Sequence, residues 1–179
     1  MSIGCAKLLP LFLSLALLGA QSSGNKVQEY KLKAVLIYKF LIFVEWIEPP
    51  SESTIVFGIV DSDPFGSSLE NIFSTNKVVG KKVTIRTVNT LQQIDKCHIL
   101  FIPEIEPHKL KSILKYVTDK PILLISDSPG FAEKGVHINF YELEDKSLGQ
   151  LSFEINLKQV RQAKIHISSK LLKHAKIIE

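Results

Sequence analysis

The chain has 179 residues, of which 45% are hydrophobic and 22% charged, with a formal net charge of +4. These proportions belong to a folded globular protein and exclude a disordered or low-complexity chain. The charge is too mild to point to a nucleic-acid partner.

Residues 1–22 read as a secretory signal. Lys7 is the only charged residue before Lys26, and an apolar run follows from Leu8 to Leu18, interrupted only by Pro10 and Ser14. Small and polar residues then follow, Gly19-Ala20-Gln21-Ser22-Ser23-Gly24. A positive start, a short apolar middle and a small-residue exit form the signal pattern, and cleavage falls after Ser22 or, as the near alternative, after Ala20. The apolar run is about half the ~20 residues that a membrane-crossing helix needs. Cys5 precedes the run, whereas the lipid-carrying cysteine of a lipoprotein follows it. Cleavage after Ser22 leaves 157 residues and a charge of +3, enough chain for one domain, 23–179, with a sizeable core. It also leaves Cys97 as the sole cysteine. No internal disulfide can form, and the residue reads as a buried, inert thiol.

A long helix is predicted over Lys26 to Trp46, where Tyr30, Ala34, Ile37, Leu41 and Val44 recur at helical spacing. It is apolar nearly all round, so it is either buried or shared with a partner, and Pro49-Pro50 stops it. Thr54 to Val60 reads as a strand. Asp63 to Phe73 reads as a helix opening on an Asp63-Pro64 cap. Strands are expected at Lys82 to Val88 and Cys97 to Ile102, then a helix at Pro107 to Val117 and a strand at Pro121 to Ser126. The turn Asp127-Ser128-Pro129-Gly130 leads into one helical turn at Phe131 to Lys134 and a strand at Val136 to Phe140. Beyond the acidic turn Glu142-Leu143-Glu144-Asp145, Leu151 to Ile155 alternates as an added strand. Asn156 caps a helix through Ala163, and Ser168-Ser169 caps a last one over Lys170 to Ile177. The alternation predicts an α/β fold: a mainly parallel, doubly wound (Rossmann-like) sheet with helices on both faces and an added C-terminal strand and helices.

Catalytic constellations are sought and not found. Asp61-Ser62-Asp63-Pro64-Phe65-Gly66 lacks the glycine spacing of a dinucleotide loop and reads as a solvated turn and helix cap. Its two aspartates are those of a receiver-type acidic pocket, but Pro103-Glu104 and Asn139-Phe140 stand where that pocket needs an aspartate and a lysine. Cys97 and His98 are consecutive on a strand and point to opposite faces, so they make no nucleophile–base pair. The histidines at 98, 108, 137, 166 and 174 show no metal-binding spacing. No glycine-flanked elbow surrounds Ser126. Neither catalytic residues, a metal, a cofactor nor a disulfide is expected. Lys158, Arg161, Lys164, Lys170, Lys173 and Lys176 make the C-terminal end basic. This is either a solvated face or a docking surface for an acidic partner, with Lys164, Lys170, Lys173 and Lys176 as the candidate partner-binding residues.

Several stretches together resemble one family. Lys33-Ala34-Val35-Leu36-Ile37-Tyr38 through Val44-Glu45-Trp46 resembles its opening helix, and Cys97-His98-Ile99-Leu100-Phe101-Ile102 its third strand. Ile125 to Ala132, Ile138-Asn139-Phe140, Phe153 to Asn156 and Ile167 to Leu172 resemble its carboxyl half in order and spacing. This is the YfiR-like family of periplasmic proteins. The resemblance implies a periplasmic regulator, not an enzyme, with a dimerising α/β sandwich fold. Such a regulator binds and represses the periplasmic sensing domain of an inner-membrane diguanylate cyclase, lowering cyclic di-GMP and biofilm formation. An outer-membrane, peptidoglycan-associated lipoprotein sequesters it in turn. Family members that sense redox stress carry extra cysteines; with Cys97 alone, intramolecular redox sensing does not carry over. A second reading is a small-molecule-binding module with a pocket at the carboxyl ends of the first and fourth strands, near Asp61, Phe65, Ser126 and Phe131.

Overall fold

The structure, a computed structural model, describes the backbone of residues 18–142 and 151–179 and the side chains of 24–141 and 151–179. The signal segment before residue 18 and the acidic turn at 143–145 lie outside the described residues. Strands β2 (Thr54–Val60), β3 (Lys82–Val88), β4 (Ile99–Ile102), β5 (Leu123–Ser126) and β6 (Ile138–Glu142) run parallel in the order β3-β2-β4-β5-β6. The chain steps outward to β3, then returns to the other side of β2 for β4, which is the doubly wound arrangement. Strand β7 (Leu151–Asn156) adds antiparallel to β6, and β9 (Lys176–Ile178) adds parallel to β7, completing a seven-stranded sheet.

Period-two alternation splits the core into two layers. Ile55, Phe57 and Ile59 with Ile99, Phe101, Leu123 and Ile125 face one side. Against them lie α1 (Leu18–Ile42) and α2 (Ser68–Thr75), which bury Ile37, Phe40, Leu69 and Phe73. Val60, Leu100, Ile102 and Leu124 face the other side, where α4 (Pro107–Val117) places Leu110, Ile113 and Val117 at helical spacing. Gly58 sits mid-strand in β2 because there is no room for more: a Cβ there would stand 2.7 Å from Cys97 Sγ and 3.0 Å from Leu100 and Val88.

Three expected elements are corrected. The opening helix ends at Ile42, and Val44–Trp46 forms a strand, β1, antiparallel to β8 (Ile165–Ile167) in a separate two-stranded sheet. Val44 and Trp46 are buried while Glu45 is exposed, a period of two instead of 3.6. Trp46 also donates its Nε1–H to Pro121 O at 3.0 Å. The helix expected from Asp63 begins only at Ser68, because Asp63 Oδ1 accepts from Phe65 N–H at 2.7 Å and Gly66 takes φ +56°. Asp63 therefore closes a local turn instead of capping a helix. The last helix, α7 (Ser169–Leu172), stops early, and the chain joins the sheet as β9. Its Lys176 reaches the buried Glu154 carboxylate at 3.3 Å, which also accepts from Asn139 Nδ2 at 3.1 Å. A short helix, α3 (Leu91–Ile94), has no counterpart in the sequence reading; the Gln93 side chain accepts from the Asn89 and Thr90 N–H groups at its start.

The two expected polar caps at the C-terminal end do form. Asn156 Oδ1 accepts from Gln159 N–H at 3.1 Å at the start of α6 (Leu157–Gln162), and Ser168 Oγ from Lys170 N–H at 3.4 Å. The helical turn α5 (Phe131–Lys134) lies where expected, between the left-handed Gly130 and Gly135.

Candidate functional site

Open parallel sheets bind ligands at the carboxyl ends of their strands where the strand order reverses. Here that point lies between β2 and β4. The first packed turns of α1 lie over it. Tyr30 meets Phe65 edge-on at 5.3 Å between ring centroids, and Phe65 meets Phe101 of β4 at 4.7 Å. Beside this aromatic stack, Lys33 is 4% exposed, with Nζ 2.6 Å from Asp127 Oδ2 at the end of β5. It also pairs with Glu29 one helical turn earlier and stands 4.4 Å from the Tyr30 ring centroid. Burial first, and the Asp127 carboxylate second, push the Tyr30 hydroxyl above its ordinary range. The cluster is closed on itself: the ammonium is committed to two carboxylates, and the phenol stays protonated. Its effect is to tie α1 to the sheet edge.

This cluster was missed in the sequence, although a signal for it exists. Lys33 falls on the same face as Tyr30, Ala34 and Ile37, so a charge stands within the stripe that the helix buries. A lysine there needs a buried acid to meet it.

The four residues expected near a pocket do not converge. Asp61 adopts φ +61° and pairs with Lys109 of α4 at 2.5 Å. Phe65 packs into one core layer and Phe131 into the other. Ser126 is fully buried and its Oγ accepts from Ser128 N–H at 3.3 Å. Two concavities stand out among the described residues. One, of about 170 Å³, lies between the ends of β2 and β3 and the start of α4, near Val60, Val88 and His108. The other, of about 680 Å³, runs between α4, the α5–β6 connection and α6.

Cys97 and His98 take separate roles on β4's approach, as their alternation requires. Burial pushes the Cys97 thiol up to about 11, so it stays protonated at neutral pH. His98 Nδ1 accepts from Val56 N–H at 3.0 Å, and its Nε2 faces Glu52 at 3.2 Å. Among the described residues, no group of three or more His, Cys, Asp or Glu side chains could hold a metal ion.

The basic residues are spread over several elements instead of one helical face. Lys164 is left-handed at φ +55° and pairs with Glu48 at 3.3 Å, and Lys176 pairs with Glu154. Lys170 and Lys173 are exposed and make no ion pair among the described residues. On α1, Leu32, Val35 and Ile42 are exposed on the side away from the sheet, beside Lys31 and Lys39. No helix among the described residues is long and apolar enough to cross a membrane.

One solved structure shares the fold at low identity, and another is similar in part. A conserved domain protein from Vibrio cholerae O1 biovar El Tor superposes with a TM-score of 0.54 at 13% identity, over 84% of this chain and 60% of that one. An ABC domain from Streptococcus pneumoniae, solved in complex with L-Trp, gives a TM-score of 0.48 at 13% identity, over 69% of this chain and 55% of that one. The chain thus spans little more than half the length of each. No curated protein matches the sequence. A family described as YfiR/HmsC-like matches residues 30–176. The match opens at Tyr30, the first buried residue of α1 among the described side chains, and closes at Lys176 in the edge strand β9. It therefore runs from the packed part of α1 to the start of β9, and the chain belongs to the YfiR/HmsC-like family.

Proposed function

We propose that this protein is a periplasmic regulator that binds the periplasmic sensing domain of an inner-membrane diguanylate cyclase and represses it, lowering cyclic di-GMP. The observation that carries this reading is family membership over the folded chain. The Lys33–Asp127 cluster commits its charged groups to one another, which fits a structural part better than a catalytic one. Secretion is supported by where packing begins. Among the described side chains, residues 24–28 are exposed and Tyr30 is the first that is buried, so the described core begins after both candidate cleavage sites.

Repression of this kind is a population shift. The regulator must bind the inactive cyclase more tightly than the active one, and hundredfold repression needs about 2.7 kcal/mol of differential affinity. The exposed apolar face of α1 at Leu32, Val35 and Ile42, flanked by lysines, is a surface on which a partner or a second copy gains such energy. The C-terminal basic surface is the second candidate. There Lys170 and Lys173 are the residues to reverse, because Lys164 and Lys176 already face carboxylates.

Deleting the gene is expected to raise cyclic di-GMP and surface attachment, and tagged protein is expected to recover a membrane diguanylate cyclase. Lys170→Glu with Lys173→Glu, or Leu32→Glu with Val35→Glu, should mimic the deletion in part according to which face docks. Unchanged cyclic di-GMP in the deletion strain, with no cyclase recovered, would remove the repressor reading.

A further inference from the structure

The roomier of the two concavities lies on the α4 face of the sheet, opposite the face that α1 covers. Its floor is Leu124 near the start of β5 and His137 just before β6; its walls are Leu110, Leu114 and Val117 of α4 and, across from them, α6. A volume of about 680 Å³ falls within the roughly 300–1,000 Å³ typical of small-ligand sites.

Three lysines and one aspartate carry the formal charges at this groove, with Thr118, Gln159 and Gln162 beside them. His137 is 4% exposed, and its Nδ1 accepts from Leu124 N–H at 3.1 Å. Burial lowers its pKa to about 3, so the ring is neutral and carries its one proton on Nε2. That N–H donor has no acceptor among the described residues. Around the rim stand Lys111, Lys115 and Lys134, all exposed. The single rim acid, Asp119, accepts from Gln162 Nε2 at 3.3 Å. Neither Lys111 nor Lys115 has an acidic partner within salt-bridge distance among the described residues. An apolar trough with a neutral histidine in its lining and three ammonium groups at its lip complements a molecule that is apolar along its length and anionic at one end.

We propose that this groove binds a small amphipathic organic acid, its apolar body against Leu110, Leu114, Val117 and Leu124 and its carboxylate among Lys111, Lys115 and Lys134. The proposal does not rest on the cyclase reading, and it is tested on the isolated protein, so the two fail separately. The probe is octanoate, with octan-1-ol as its uncharged counterpart, titrated calorimetrically into the mature chain.

Octanoate is expected to bind saturably and at least tenfold more tightly than octanol. Lys111→Ala with Lys115→Ala, both at the exposed rim, should weaken octanoate at least tenfold with an unchanged urea midpoint. Gln159→Trp, which projects bulk across the groove from α6, should abolish binding. In nitrogen-detected NMR the His137 ring signals should move on adding octanoate. No saturable binding at millimolar octanoate overturns the proposal. So does binding that the lysine pair leaves unaltered, which would put the anion elsewhere; that variant keeps the test decisive even if Gln159→Trp fails to fold.

Discussion

Lys33 and Asp127 are each nearly excluded from water, with side chains 5% and 7% exposed. A buried pair gains little over an apolar pair of the same shape, but losing one member strands the other charge. Lys33→Met is therefore expected to destabilise the protein by about 3–5 kcal/mol in urea titrations. Adding Asp127→Leu should recover much of that loss; a double variant as unstable as the sum of the two single variants would contradict the account. His137 is the second residue whose burial has a measurable consequence. Its folded-state value of about 3 lies below the ordinary 6.5, so between those values the unfolded chain holds a proton that the folded chain refuses. This contribution is fully present above about pH 6.5 and is lost as the pH falls, with a slope approaching 1.4 kcal/mol per unit. Urea midpoints measured from pH 7 to 5, above the carboxylate range, should fall steadily, and the slope should flatten in His137→Asn.

At the scale of elements, the close approach of β2 and β4 depends on Gly58. Its missing Cβ leaves room for Cys97 Sγ, Leu100 and Val88, all of them buried. Gly58→Ala must displace at least one of them in the middle of the sheet, which costs about 1–3 kcal/mol by overpacking. Gly58→Ala combined with Cys97→Ala should lose less, because the tightest contact, 2.7 Å to sulfur, is then relieved. Equal losses would place the strain elsewhere. The bounds of Thr54–Val60, Lys82–Val88, Pro107–Val117 and Phe131–Lys134 were legible in the sequence to the residue, since each ends at a proline, glycine or polar turn and carries one clear period. Val44–Trp46 and Lys176–Ile178 were not. Each is three residues long and continues an apolar helical pattern, and only a partner strand distant in sequence makes it extended.

For the whole molecule, the described packing predicts that the mature chain starts before its first needed side chain. Periplasmic protein should begin near Gln21 or Ser23, and a chain expressed from Ser23 should unfold at the same urea midpoint as the naturally processed form. A lower midpoint would mean that residues before Ser23 contribute to the core. Which surface stays open as a groove was the least legible feature. The rule for parallel sheets pointed to the carboxyl edge around Asp61, Phe65, Ser126 and Phe131. There the chain's own first helix sets Tyr30 and Lys33 against Phe65 and Asp127, and a groove of about 680 Å³ lies on the opposite, α4 face.

By itself the amino-acid sequence determined the layer order, because alternating apolar runs and amphipathic segments can bury their faces only as helices over a parallel sheet. It also determined the family, whose motifs run in order from α1 to α7. Tertiary structure alone decided which crevice is filled and which stays open, where Lys33 finds its acid, and that both β1 and β9 are strands. Each of these depends on contacts between residues far apart in the chain, and local periodicity carries no information about which distant segment will supply the partner.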